Sequence, residues 1–585
     1  MNEPVTAMEA LGPEGPLAQS VAEFQARSGQ REMAAQIERT LADGGIFIAE
    51  SGTGTGKTFA YLVPALLSGK KVLVSTGTRH LQDQIFHRDL PLVREALGRP
   101  VSTALLKGRS NYLCRYRFEH ALEAGEASVD LARLRDWAAH TRSGDISEVE
   151  GVADDSYVWP LVTSSAENCL GSRCSHFDSC HVKRAREQAL AAEVVVVNHH
   201  LFFADLALRE EGFGRILPGV QAVIFDEAHQ LPDIASIFFG LNISSHQLLG
   251  LCRDVLAEDT RLRSGVPQLA DAVHTLEKAV ADFRLSFGMT VRREPLERMD
   301  NVSAYHSARD SLRARLAELT AVLEVVGPTD EGFANCYRRA VTLLDRVTLL
   351  DEHREDEYVA WFETTPRGFS LYLTPLEVAS TFRTHIETSR AAWVFTSATL
   401  AINNSFAHFQ SQLGLEHAET GRWESPFDFA GQTLLYLPSG LPEPAAPNYT
   451  ERVIETAVPV LEASRGRAFL LFTSYRALNL AAQLLRGRLP YPLLVQGDLP
   501  RPLLLERFRE LGNAVLLGTS SFWEGVDVRG EALSCVIIDK LPFAAPDEPV
   551  LRARSAALEA AGRNPFVEYQ LPEAVIALKQ GAGRL

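Results

Sequence analysis

Between Gly44 and Leu67 the chain reads GGIFIAESGTGTGKTFAYLVPALL, an apolar β-forming run, a glycine-rich turn and an apolar helical run in direct succession. This order constrains the fold more than any other feature. A strand that feeds a helix through a tight glycine turn belongs to a parallel α/β layer, whose ligands sit at the carboxyl ends of the strands. Gly52, Gly54 and Gly56 free the backbone to aim successive N–H groups at an anion in front of the helix. Thr53 and Thr55 complete the loop, and Ser51 stands where the GxxxxGK[ST] pattern usually starts with glycine. Lys57 is suited to the β- and γ-phosphates of a nucleotide, and Thr58 to Mg²⁺.

A second chemical signal follows downstream. The apolar run Ala222 to Phe225 ends in Asp226-Glu227-Ala228-His229, which places two carboxylates at a strand terminus. Two acids there usually make a solvated turn. After a phosphate loop, Asp226 is suited to Mg²⁺ and Glu227 to orienting or deprotonating an attacking water. Short β-rich runs recur at Ile46 to Ala49, Val72 to Thr76, Val194 to Asn198 and Val394 to Thr396, with helical patterns between them. A second series, Ala468 to Phe472, Leu493 to Gln496, Ala514 to Gly518 and Cys535 to Asp539, begins after the Pro-rich stretch Leu437 to Pro447. The alternation predicts two parallel α/β domains. Residues 1 to about 20 read as a loose polar leader. Two stretches look inserted: 108–190, and a charged, helical 241–385 that closes with a hairpin of Tyr358 to Phe362 and Phe369 to Leu373.

The first insertion holds four of the seven cysteines, Cys114, Cys169, Cys174 and Cys180, in a window where proportion would place fewer than one. There is no basic n-region with an apolar h-region and no run of membrane-spanning length. A reducing compartment, in which clustered thiols bind metal rather than pair, is therefore expected. Four thiolates suit a [4Fe–4S] cluster or a tetrahedral zinc; the wide spacing lacks the tight CxxC knuckles common in zinc sites. His176 and His181 are alternative zinc ligands or plain surface histidines. The net charge of −16 argues against nucleic acid only weakly, because a basic groove can sit in an acidic envelope. Locally, KGRSNYLCRYRF interleaves Lys107, Arg109, Arg115 and Arg117 with Tyr112, Tyr116 and Phe118, and Lys183, Arg184 and Arg186 follow the last cysteine. That mixture suits single strands, since cations track phosphates while aromatic faces stack bases; an ordinary helix with its aromatics turned inward is the equal alternative. Asn198-His199-His200 either faces such a strand or ends a β-strand.

The phosphate loop, the DEAH tetrad, Thr396-Ser397-Ala398-Thr399 and the closing QGAGR at Gln580 to Arg584 resemble motifs I, II, III and VI of superfamily 2 helicases. With the cysteine insertion, the chain resembles the XPD-like iron–sulfur group, in its bacterial DinG/YoaA branch. The resemblance spans residues 24–585. It implies two RecA-like domains, the first in parts 24–107, 191–240 and 386–430 and the second at 431–585, after a leader at 1–23. It also implies an iron–sulfur domain at 108–190 and a mainly helical arch at 241–385. Arg27 and Gln30 match the Q-motif that reads adenine, and Ser75 to Thr78 with Leu81 and Gln82 match motif Ia on the nucleic-acid backbone. Ser397 and Thr399 match the coupling motif, Ser521 to Asp527 match motif V, and Lys540 to Phe543 resemble a family hallmark. Gln580 and Arg584 match motif VI, whose arginine stabilises γ-phosphate charge. ATP, Mg²⁺ and a [4Fe–4S] cluster held by the four cysteines are the implied cofactors.

The implied activity is ATP-dependent, 5′ to 3′ translocation on single-stranded DNA with duplex unwinding in repair or replication. The implied partners are single-stranded and forked DNA with replication or repair proteins, for a monomer in the cytoplasm at the nucleoid. No room for an exonuclease domain precedes Phe24. The family pattern runs on past Leu585, so the chain reads as C-terminally incomplete. That leaves two rivals, a scaffold that binds ATP and DNA without turnover, and a redox-responsive DNA sensor.

Overall fold

The computed structural model describes residues 5–583 except 23, 124–127, 154–155, 211–215, 353–356, 524–527 and 529. The first strands are β1 (Ile46–Ser51), β2 (Val72–Thr76), β3 (Thr103–Leu105), β4 (Val194–Asn198) and β5 (Ala222–Asp226). Next come β6 (Leu241–Ser244), β7 (Arg293–Pro295), β8 (Tyr358–Thr364) and β9 (Phe369–Pro375), then β10 (Ala392–Ser397) and β11 (Glu419–Trp423). The last are β12 (Ala468–Leu471), β13 (Leu493–Val495), β14 (Val515–Gly518) and β15 (Cys535–Ile538).

Seven strands form one parallel sheet in the order β11-β1-β10-β5-β2-β4-β3. Its central strands are apolar on both faces because helices cover both. The period of two divides them cleanly. Phe47, Val74, Val196, Ile224 and Val394 face one core with Ile37 and Leu62, while Ile48, Leu73, Val195, Phe225 and Phe395 face the other with Phe203 and Phe382. The second domain repeats the pattern on a four-stranded parallel sheet, β13-β14-β12-β15. Both α/β layers expected from the sequence are present. The edge strands β3 and β11 were not anticipated.

The segment 241–385 holds four long helices, Ser245–Leu262, Pro267–Ser286, Ser303–Val326 and Glu331–Glu352, around a core of its own. The expected hairpin is β8 and β9, paired from Tyr358 with Pro375 to Thr364 with Phe369. Here β6 and β7 flank it, which completes a four-stranded antiparallel sheet. The leader is not loose. Thr6 and Glu9 form a capping box for the helix Ala7–Ala10, and a second short helix, Pro16–Ser20, follows. Ala7, Ala10, Leu11 and Leu17 are fully buried, so four apolar side chains anchor a segment whose composition is otherwise polar.

Candidate functional site

At the end of β1 the loop turns through Gly54 (φ +81°) and Gly56 (φ +84°), left-handed conformations that favour glycine. Gly56 caps the helix Lys57–Leu67, so the loop's N–H groups converge ahead of that helix's first turn. A Cβ on Gly56 would collide with the Gln30 amide, whose Nε2 donates to the Gly56 carbonyl at 3.0 Å. The buried carbonyl oxygen of Gln30 has no hydrogen-bond partner among the described residues. A cavity of about 340 Å³ opens beside it, lined by Arg27, Gln30, Thr55, Arg422, Trp423 and Ser425. The end of β11 and the segment after it close over the loop: Gly52 N–H donates to the Trp423 carbonyl (3.0 Å), and Ser425 Oγ donates to the Thr53 carbonyl (2.7 Å). Sequence reasoning missed this cover, because Trp423 to Phe427 carries neither strand nor helix periodicity.

Lys57, Asp226 and Glu227 meet as the spacing suggested. Lys57 Nζ lies 3.5 Å from Glu227 Oε1. Asp226, at the buried end of β5, has its carboxyl pushed above the usual range by burial and then by the neighbouring Glu227, with Lys57 pulling the other way. Glu227 itself is left-handed (φ 57°), a strained backbone for a residue with a side chain. Its Oε2 accepts from Ser397 Oγ (3.4 Å) and sits 3.4 Å from His229 Nδ1. His229 Nδ1 also meets Ser397 Oγ at 2.9 Å. Gln580, on the helix Leu571–Ala582 of the second domain, reaches His229 Nδ1 (3.4 Å) and Thr399 Oγ1 (2.5 Å). A Cβ on Gly583 would stand 3.6 Å from Thr53 Cγ2, so that helix ends against the phosphate loop. Arg584 and Asp527 lie outside the described residues, as does most of the Ser521 to Asp527 motif.

Several residues expected on the nucleic-acid surface are engaged inside the protein instead. Lys107 is 4% exposed and paired with Asp83 (2.8 Å) and Asp145 (2.7 Å). Tyr112 is buried with its hydroxyl accepting from Lys107 N–H, and Phe118 joins a small core. Tyr116 donates to Glu258 Oε1 (2.5 Å), while Arg117 Nη1 bonds Asp254 (2.8 Å), which also accepts from Arg339 Nη1 (2.5 Å). Glu258, Asp254 and Arg339 all come from the 241–385 helices, so Tyr116 and Arg117 form part of the seam between the two insertions. In motif Ia, Ser75, Thr76 and Gln82 are fully buried; Gln82 donates to the Leu106 carbonyl (2.9 Å), and Ser75 Oγ meets His199 Nδ1 (2.7 Å). Asn198 Oδ1 accepts from Leu201 N–H and ends β4, the bland reading of that triplet.

Cys114, Cys169, Cys174 and Cys180 are half-buried free thiols. Cys180 caps the helix His181–Ala191, and the Cys114 carbonyl accepts from Phe118 N–H at the first turn of Arg115–Glu123. Burial, opposed by Arg117 and reinforced by Cys169 and Cys174, pushes Cys114 up to about 11. Among the described residues no three His, Cys, Asp or Glu side chains close around a point as they would for a single metal ion. His181 is no surface histidine: it is 1% exposed, whereas His176 pairs with Glu119 at 3.0 Å. The core of this region has eight buried residues among those described, Leu113 to Val162, too few to hold a domain without help. No described helix is long and apolar enough to cross a membrane.

Comparison with known proteins agrees with this geometry. A DEAD/DEAH box helicase profile matches residues 27–120, and a helicase C-terminal domain profile matches 457–585. The chain is 44% identical to the ATP-dependent DNA helicase YoaA of Escherichia coli over 98% of its own length and 91% of the relative's. It is 35% identical to the ATP-dependent helicase DinG of Mycobacterium tuberculosis over 96% of its length and 88% of the relative's. Among solved structures, an XPD helicase superposes with a TM-score of 0.59 at 15% identity, covering 96% of this chain and 93% of that one. That likeness speaks to the fold, and the sequence relatives to the lineage. The chain belongs to the DinG/YoaA family of ATP-dependent DNA helicases, within the XPD-like fold group.

Proposed function

We propose that this chain hydrolyses ATP between its two α/β domains and uses the cycle to move 5′ to 3′ along single-stranded DNA, opening duplex during repair or replication. The hydrogen-bonded chain from Glu227 through Ser397 and His229 to Gln580 and Thr399 carries the proposal, because it joins the candidate water-activating carboxylate to the second domain. Gln30 and Arg27 line the cavity suited to adenine, and the free Gln30 oxygen fits its amino group. Lys57 and the N–H groups of Gly54 and of Gly56 to Thr58 would hold the phosphates. Thr58 and Asp226 would hold Mg²⁺, which when bound neutralises charge on the β- and γ-phosphates. Glu227 orients the attacking water and takes its proton, while Gln580 completes the site from the second domain and Arg584, by its match to the motif, is the proposed partner of the γ-phosphate charge.

Each step the strand takes requires the two domains to close and part. Opening duplex costs about 1.4 kcal/mol of stacking per base-pair step, well within what one nucleotide hydrolysed can supply. Replacing Lys57 with alanine in the full-length protein should abolish single-strand-stimulated ATP hydrolysis; retained stimulation would refute the reading.

The four thiols are soft donors in a common electrostatic neighbourhood, as a [4Fe–4S] cluster requires, and their wide spacing in the chain lacks the tight knuckles common in zinc sites. Cys114, Cys169, Cys174 and Cys180 would hold it, and the cluster would cross-link a region whose own core is small. Anaerobic purification with an absorbance scan and iron and zinc counts tests this. A colourless, zinc-loaded protein would overturn the cluster while leaving the motor intact.

A further inference from the structure

Glu50 is the residue of β1 just before the phosphate loop, and its side chain is 4% exposed. Its Oε2 accepts from the backbone N–H of Leu400 and of Ala401, both at 2.6 Å. Its Oε1 accepts from Arg422 Nε at 3.1 Å. Leu400 and Ala401 directly follow Thr399, so this carboxylate ties the strand that ends in the phosphate loop to the segment bearing Ser397 and Thr399. Without it, two buried N–H groups would lose their acceptor.

The second domain touches the same point. Lys579 donates from Nζ to the Ala401 carbonyl at 2.8 Å and lies 3.7 Å from Glu50 Oε1. It sits on Leu571–Ala582, next to Gln580, and that helix packs against the second domain's Trp523, so close that a Cβ on Gly581 would stand 2.7 Å from the indole. Further along the helix, Glu573 accepts from His408 Nε2 (2.9 Å) and Gln412 Nε2 (2.7 Å), both on the first-domain helix Ala407–Leu413. One helix of the second domain therefore grips the first domain at Thr399, at Ala401 with Glu50, and at His408 with Gln412.

Resting on the motor reading above, we propose that Glu50 and Lys579 are positioning residues that transmit domain closure to the phosphate loop. With Lys579 seated, the Glu50 carboxylate and the Ala401 carbonyl share one ammonium, and the 397–401 segment is held in register with β1. Ser397 and Thr399 then face Glu227 and Gln580. When the domains part, Lys579 leaves and Arg422 remains as the counterion of Glu50. Neither residue is assigned contact with nucleotide; both act through the groups they hold.

The test uses Lys579→Ala, Lys579→Arg and Glu50→Gln in the full-length protein. In Lys579→Ala, single-strand-stimulated kcat should fall about tenfold while the Kd for a fluorescent ATP analogue stays within about twofold, the split expected of a residue acting after binding. Lys579→Arg should keep most of the rate. The Lys579→Ala/Glu50→Gln double variant should be no worse than the worse single, because coupled residues are not additive. An unchanged kcat in Lys579→Ala, multiplicative losses, or a Kd that weakens with the rate would overturn the proposal, the last marking a structural role. Domain closure gives a second readout, as the shortening of a distance between labels on the two domains when a non-hydrolysable ATP analogue is added. It should shrink in Lys579→Ala, and an unaltered closure would also overturn the proposal. If the parent protein shows no strand-stimulated hydrolysis, the helicase reading fails, and the closure measurement still decides the role of Lys579.

Discussion

Asp254 sits at the seam between the cysteine region and the long helices, and replacing it with alanine isolates the strength of that seam. It accepts from Arg117 Nη1 at 2.8 Å and Arg339 Nη1 at 2.5 Å, and the three side chains are only 14%, 17% and 9% exposed. Removing the shared acceptor leaves two guanidinium groups facing each other away from water, a loss of about 3–5 kcal/mol for a broken buried pair. Arg117 keeps a bond to the Pro160 carbonyl (3.0 Å), which puts the expectation at the lower end. A loss of about 3 kcal/mol raises the population of the parted seam roughly 100-fold, at 1.4 kcal/mol per decade. Amide hydrogen exchange reads this directly. Amides of Arg115–Glu123 and Ser245–Leu262 should exchange on the order of 100 times faster in Asp254→Ala, while those of β1 and β5 should hold their rates. An acceleration below threefold, or one spread evenly over the protein, would refute the reasoning. The pH dependence has a definite sign. Burial pushes the Asp254 carboxyl up, but Arg117 and Arg339 pull it below its ordinary value. Its contribution is therefore present above the unfolded pKa of about 3.9 and is lost as pH falls through the lower folded value.

Gly56→Ala should weaken nucleotide binding at least about tenfold, since a side chain at φ +84° costs about 1–2 kcal/mol and displaces the Gln30 amide; an unchanged Kd by fluorescent titration would contradict it. Burial pushes the His199 ring down to about 3, so acid favours the unfolded state, which takes up the proton first. Stability should drop by up to about 1.4 kcal/mol per pH unit below about 6.5, and His199→Gln should flatten that slope in urea unfolding at pH 7.5 and 5.5. A parent profile already flat over that range would exclude the effect. Cys174→Ser should lose bound iron and expose residues 108–190 to proteolysis, with nucleotide affinity within about twofold of the parent; full iron retention would remove Cys174 from the ligand set.

What the sequence made legible was contiguous in the chain. The phosphate loop with its flanking strand and helix, and the carboxylates at the end of β5, declare themselves because their geometry is set within a few residues. Interior strands such as Val72–Thr76 read correctly because burial on both faces leaves no polar residue to blur them. The edge strand β11, Glu419–Trp423, has Gly421 and Trp423 as its only half-buried positions and is exposed at the others, so no apolar pattern marks it. The interleaved aromatics and cations of residues 107–118 stayed evenly balanced between two readings for another reason. The partners of Tyr116 and Arg117, Glu258 and Asp254, lie about 140 residues away in an insertion with its own periodicity, and nothing local separates a residue held by a distant carboxylate from one waiting for a phosphate. Glu50 was passed over because a carboxylate inside an apolar run looks like an interruption until the two N–H groups that require it are in view.

The docked leader bears on how this enzyme tolerates being shortened. Ala7 N–H is held by Glu38 (3.1 Å), and Arg31 Nε donates to the Met8 carbonyl (3.2 Å). Both anchors lie on the helix Ser28–Asp43, which carries Gln30 beside the adenine-sized cavity. Residues 5–20 thus work as a splint on one wall of that cavity, without touching what enters it. Trimming them as a disposable tail would free the wall to tilt, and the damage would surface as poor nucleotide affinity, easily misattributed to the phosphate loop some forty residues downstream.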